Sequence, residues 1–209
     1  MAPRTYNMTK REAAKAETRR RIVEATAKLH GEKGVFGTGW REIADEADVS
    51  VATVYAHFPS LDELLPACGE LVMQRVRPPR AESAAEIIGD ATELRERLER
   101  VARELFAFYE RGGPHIEVDI RERELPGVRE WEESQRATVT ALVREALAGE
   151  HVDAPKLALL SAFFDLQTFK ALRARGVGQS EAAETVAEIV DRLFDSGGRR
   201  RMPEGGTDD

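Results

Sequence analysis

The sequence predicts an all-α protein, a three-helix N-terminal head built on a helix-turn-helix and followed by a helical body. Three observations carry that reading. The 209-residue chain is rich in Ala, Glu, Arg and Leu and only 6% aromatic, which suits helices. Apolar residues recur every three or four positions in stretches punctuated by Gly and Pro. Between Trp40 and Phe58 two such stretches are so short, and so closely joined, that the chain must reverse sharply at Asp48.

Residues 1–8 read as a disordered polar tail. A helix follows from Thr9 to Lys33, with Ile22, Thr26 and Leu29 on one stripe and Gly31 and Gly34 ending it. Gly39 is an acceptable, weak N-cap for a helix whose inner face is Trp40, Ile43, Ala44 and Ala47. Asp48 tolerates the left-handed conformation that a tight turn demands. Ser50 caps a second helix starting at Val51, with Val51, Val54 and Phe58 turned inward and Pro59 stopping it. Ser60 and Glu63 form a capping box for a helix over Leu61–Val76, which tolerates Pro66 in its first turns and ends before Pro78-Pro79.

The body follows the same logic. Leu94, Leu98, Val101, Leu105 and Phe108 mark a helix over Thr92–Arg111, halted by Gly112-Gly113-Pro114. Residues 115–124 alternate like a strand, but a lone strand has no partner, so a short helix or irregular segment is expected. Helices are expected over Val128–Ala148, Ala154–Arg175 and Ser180–Phe194, the last with Ser180 as N-cap and Glu181 and Glu184 near its positive end. Gly197 onward reads as a disordered polar tail.

Net charge is −7, yet residues 1–41 hold ten Lys or Arg against four Glu, and residues 61–209 hold 21 bases against 30 acids. A basic head on an acidic body suits a head that meets phosphate. The single Cys68 cannot form an intrachain disulfide and is expected in the core. No apolar run of ~18 residues suggests a membrane span, and the N-terminus has no apolar signal core, so a cytoplasmic chain is expected. No metal-ligand spacing, glycine-rich phosphate loop or catalytic cluster stands out, so neither cofactor nor enzymatic activity is expected.

Arg41-Glu42-Ile43-Ala44, then Val49 to Phe58, then Pro59-Ser60-Leu61-Asp62-Glu63-Leu64 resemble the signature of the TetR-like transcriptional regulators. The resemblance covers roughly residues 18–66, and its strongest part is Thr53-Val54-Tyr55-Ala56-His57-Phe58. It implies a DNA-binding domain over 9–58 and a helical ligand-binding and dimerisation domain over 60–196. It implies that the second helix of the motif lies in the major groove of an operator, with Ser50, Val51, Ala52, Thr53, Tyr55, Ala56 and His57 at the DNA and Arg41 reaching the backbone. Lys10, Arg11 and Arg19 could also reach outward. Two readings stand for Tyr55, a phosphate clamp or a packed ring, and two for His57, a phosphate contact or a helix C-cap. Leu61 departs from the Lys usual in the family, which leaves that helix start with only its dipole for phosphate.

The resemblance further implies a small apolar effector in the body and a homodimer clasped through the last two helices. Phe106, Tyr109, His115, Trp131, Gln135, Phe163 and Phe164 are the candidate pocket residues. Leu160, Phe164, Val186, Ile189, Val190 and Leu193 are the candidate dimer face. The expected function is a ligand-responsive regulator, with repression the expected sign, that binds a palindromic operator. The alternatives are a helical dimeric interaction protein and an activator.

Overall fold

The computed structural model describes residues 4–198. Among the described residues the regular structure is helical: α1 (Arg4–Lys33), α2 (Trp40–Glu46), α3 (Val51–His57), α4 (Leu61–Val76), α5 (Ala84–Ile88), α6 (Leu94–Gly112), α7 (Pro126–Ala146), α8 (Ala154–Ala162), α9 (Leu166–Arg173) and α10 (Gln179–Gly198). Short 3-10 turns occupy Ala81–Ser83, Gly113–Ile116 and Glu122–Glu124. The strand-like alternation at 115–124 thus resolves into two 3-10 turns and the irregular chain between them. Helix α1 already covers residues 4–8, and α10 runs through Gly198, so both expected tails are shorter than the sequence suggested. The remaining tail positions, 1–3 and 199–209, lie outside the described residues.

Among the described residues two compact units emerge: residues 4–78 with 111–133, and residues 79–110 with 134–198. The first contains the head. Its core joins Ile22, Val23, Ala25 and Leu29 of α1 to Ile43, Ala44, Ala47, Val54, Phe58 and Leu64. Ile22, Val54, Phe58 and Leu64 are fully buried, each contributing roughly 1.5–3 kcal/mol of transfer energy. Gly31 does not end α1. It sits inside the helix because an added Cβ would run into the His115 ring. Gly34, with φ +75°, is the terminator. Helix α4 ends at Arg77 in the left-handed region, and Arg111 donates to the carbonyls of Val76 (3.0 Å) and Arg77 (3.2 Å) there.

The second unit buries Leu98, Val101, Leu105, Phe106 and Phe108 of α6, and also Val139, Leu142, Val143, Leu157, Leu160, Phe164, Val186 and Val190. The single helix expected over 154–175 is two. The chain breaks at Phe163–Asp165, where Phe164 N–H turns back to the Ser161 carbonyl at 2.9 Å. The carbonyls freed by the break find side chains: Thr168 Oγ1 donates to Ala162 O at 2.8 Å and Tyr109 Oη to Phe164 O at 2.9 Å. Helix α10 starts one residue before Ser180. Ser180 is therefore not its cap, and Glu181 instead reaches back to the Gly178 N–H at 3.4 Å.

Candidate functional site

The turn between α2 and α3 is a Schellman closure made without glycine. Asp48 N–H donates to Asp45 O at 3.2 Å and Val49 N–H to Ala44 O at 3.0 Å, while Asp48 holds φ 52°. Ser50 Oγ then accepts from Thr53 N–H at 3.1 Å, the N-cap expected from the sequence. At Gly39 the cap comes from downstream: Glu42 Oε2 accepts the Gly39 N–H at 2.9 Å, and its other oxygen pairs with Lys33. The capping box expected at Ser60 is not formed. Ser60 has the extended backbone of an N-cap, but its side chain makes no cap bond, and Glu63 N–H takes the Ser60 carbonyl at 3.3 Å.

These fixtures set the outward face of α3. Val54 and Phe58 are fully buried and Val51 is half-buried against the head core. Ser50, Ala52, Tyr55 and Ala56 are exposed; Thr53 and His57 are half-buried; Arg41, one residue into α2, is exposed. The Tyr55 ring stacks on Trp40, centroids 4.8 Å apart at 26°, yet Tyr55 remains 45% exposed. The stack holds the ring in place without covering it, the packing that one of the two sequence readings of Tyr55 expects.

His57 does not cap its own helix. Arg19 does: its Nη1 donates to the His57 carbonyl at 3.2 Å, and its guanidinium lies 4.0 Å from the Phe58 ring centroid. Arg19 is thereby held to the end of α3, not left to reach outward. Desolvation lowers the His57 pKa, and nearby Lys15 and Arg19 lower it further. Lys10, Arg11, Lys15 and Arg41 form no ion pair among the described residues, whereas Arg20, Arg21, Lys28 and Lys33 are paired with Glu17 and Glu24, Asp48, Glu46 and Glu42. The unpaired bases give the head a positive surface available to phosphate.

The seven candidate pocket residues are divided between the two units. Phe106, Tyr109 and Phe164 are core residues of the second unit, Phe106 and Tyr109 packing their rings against Phe169 at 5.0 and 5.8 Å. Phe163 and Gln135 are half-buried in that unit. His115 and Trp131 belong to the first unit and line a cavity of about 760 Å³ between the C-terminal end of α1, the middle of α4 and residues 114–131. Trp131 Nε1 is buried and has no hydrogen-bond partner. His30 lines the same cavity 3.9 Å from Cys68 Sγ. Burial lowers the His30 pKa, opposed by Glu122 and assisted by His115. Burial pushes the Cys68 thiol up to about 11, so it is an inert core group.

The sequence missed Glu122 in this cavity. It is 6% exposed, and its carboxylate accepts Val35 N–H at 2.6 Å and Asp119 N–H at 3.1 Å. Its principal partner lies 87 residues away, beyond any local pattern.

The dimer-face candidates also divide. Leu160, Phe164, Val186 and Val190 are buried within the chain's own second unit, whereas Ile189 (42%) and Leu193 (44%) are exposed. Helical period places all of α10's apolar positions on a broad stripe but cannot say which edge faces inward. Leu159, absent from the expected set, is 62% exposed.

Comparison with known proteins bears on the head first. Residues 22–68 match the family described as bacterial regulatory proteins, tetR family. The HTH-type transcriptional regulatory protein RaaS of Mycobacterium tuberculosis is 43% identical over 61 residues, 29% of this chain and 28% of that protein. The HTH-type transcriptional repressor KstR of the same organism is 42% identical over 52 residues, 25% of this chain and 24% of that protein. This chain thus matches about a quarter of the length of these curated relatives. Across the larger span, a TetR-like transcriptional regulator from Rhodococcus sp. RHA1 shares the fold, with a TM-score of 0.59 at 18% identity over 87% of this chain and 97% of that one. Among the described residues no helix is long and apolar enough to cross a membrane.

Proposed function

We infer, from the match of residues 22–68 to the tetR family of bacterial regulatory proteins, that this chain is a transcription regulator that binds a palindromic operator as a homodimer and lets go when a small molecule occupies it. Residues 9–58 serve as the DNA-binding domain and 60–196 as the effector and dimerisation domain, in the cytoplasm. The observation that carries this reading is the outward row Ser50, Ala52, Thr53, Tyr55, Ala56 and His57 on a helix fixed at both ends, by Ser50 and by Arg19. Small Ala52 and Ala56 let the helix approach base edges, and Thr53 can meet a thymine methyl or a phosphate. Tyr55, steadied by Trp40, presents its hydroxyl to the backbone. Repression is the proposed sign, since a dimer seated on a promoter blocks polymerase.

Exposed Ile189 and Leu193, one helical turn apart on α10, support the homodimer. Two heads held rigidly gain affinity from effective concentration, and a two-fold pair reads a symmetric site. The test is a gel shift on the DNA upstream of the chain's own coding region. Tyr55→Ala or His57→Ala should weaken binding while sedimentation still reports a dimer; unchanged affinity means that α3 is not the reading helix. Ile189→Glu with Leu193→Glu should yield a monomer that binds DNA poorly, and a surviving dimer would place the interface elsewhere.

A further inference from the structure

The cavity of the first unit has a chemical character of its own. Its walls carry Leu65, Val72, Met73 and the Trp131 indole, an apolar lining able to hold a hydrocarbon or aromatic body. Its charges are one-sided. Asp62, Glu70, Glu117, Asp119, Glu122 and Glu130 line it against Lys33 and Arg121. Both bases are already paired, Lys33 with Glu42 and Arg121 with Asp119 at 3.2 Å. Glu70 and Glu130 have no cationic partner among the described residues; Glu70 only accepts a bond from Gln74, at 3.3 Å. Such a site rejects a carboxylate or phosphate ligand and favours a cation, which the indole face also attracts.

We propose that this cavity binds an organic cation with an apolar body, and that its occupancy is felt by the head through Glu122. The proposal rests on the ligand-release reading above and names the ligand class for it. Glu122 forms part of the cavity wall and holds the Val35 N–H at 2.6 Å. Val35 belongs to the turn between α1 and α2, and the same turn is tied to the start of α2 through Lys33, Glu42 and Gly39. A body entering the cavity presses on residues 118–125 and on this turn, so the angle of α2 and α3 is the element it biases.

The test uses two ions of one shape and opposite charge, tetraphenylphosphonium and tetraphenylborate, titrated by calorimetry into the full-length protein without DNA. The phosphonium should bind at least about tenfold more tightly than the borate, and Glu70→Gln with Glu130→Gln should narrow that preference several-fold. Equal binding of the two ions, or binding of neither, overturns the proposal. A second arm tracks DNA release. In the wild type the phosphonium should lower operator affinity. In Glu122→Gln, with one wall carboxylate lost, it should bind more weakly in the absence of DNA, and at saturating phosphonium it should lower operator affinity less than in the wild type. Binding without any effect on DNA overturns the coupling through Glu122 and leaves the site. A chain that binds the phosphonium but no DNA overturns the regulator reading instead, so the two failures are distinguishable.

Discussion

The chain interrupts its helices in two contrasting places, at Asp48 between α2 and α3 and at Phe163–Asp165 between α8 and α9. The first is closed locally. Asp48 takes φ 52°, Val49 satisfies a carbonyl five residues back, and Ser50 caps α3 with its own side chain. The second is closed from a distance. Asp165 is N-cap in position, yet its side chain makes no cap bond, and the freed Phe164 carbonyl is satisfied by Tyr109, 55 residues away. A break encoded by its own residues positions a surface; a break satisfied from elsewhere positions a core.

The contrast can be broken from either side. The largest effect is expected where the distant partner is removed. Tyr109→Phe leaves the buried Phe164 carbonyl unsatisfied and should cost about 1–3 kcal/mol in urea denaturation with the head intact. A cost near zero would mean that the break is held by packing alone. At the other interruption, Asp48→Val forces a β-branched residue into the left-handed region and should cost about 1–2 kcal/mol, whereas Asp48→Gly should be tolerated or stabilising. Next come the two cap positions. Ser50→Ala should cost about 1 kcal/mol, because a real cap bond is lost. Asp165→Asn should be neutral or stabilising near neutral pH. Burial raises the Asp165 pKa, partly countered by Arg136, so its ionised form is disfavoured in the folded state. Equal losses at both positions would erase the distinction.

The smallest effect concerns His30. Its folded pKa lies below the ordinary 6.5, chiefly through burial. The folded protein therefore holds that proton less readily than the unfolded chain, and stability should be full above about pH 6.5 and fall as pH drops through it. The groups facing it are Glu122, His115 and Cys68. His30→Phe should flatten this part of the pH profile, and an unchanged profile would move the dependence to another group.

Legibility in the sequence divides along the same line. Asp48, Ser50, Gly34 and the Pro78-Pro79 stop act on neighbouring residues, so period and cap rules found the head nearly residue by residue. The Ser60 box failed because its residues merely permit a bond that the backbone made otherwise. Arg19 on the end of α3 and Glu122 on Val35 were invisible, since each acts on residues far along the chain. In the body, period identified Leu160, Val186 and Val190 as apolar, but whether they met their own chain or a second copy depended on three-dimensional packing. The exposure of Leu159 beside buried Leu160 shows how one residue of rotation exchanges those roles.

In the proposed function, the outward face of α3 and the unpaired bases of the head meet DNA phosphates. The most direct test of that contact is the affinity of the wild-type protein for its own upstream DNA, measured from about 50 to 200 mM salt, where each phosphate contact contributes roughly −0.9 to the logarithmic slope. Binding should be tight at low salt and fall steeply as salt rises, with Tyr55→Phe keeping the fold and losing part of the affinity. Absence of binding at low salt, or an affinity that salt does not change, would contradict that function.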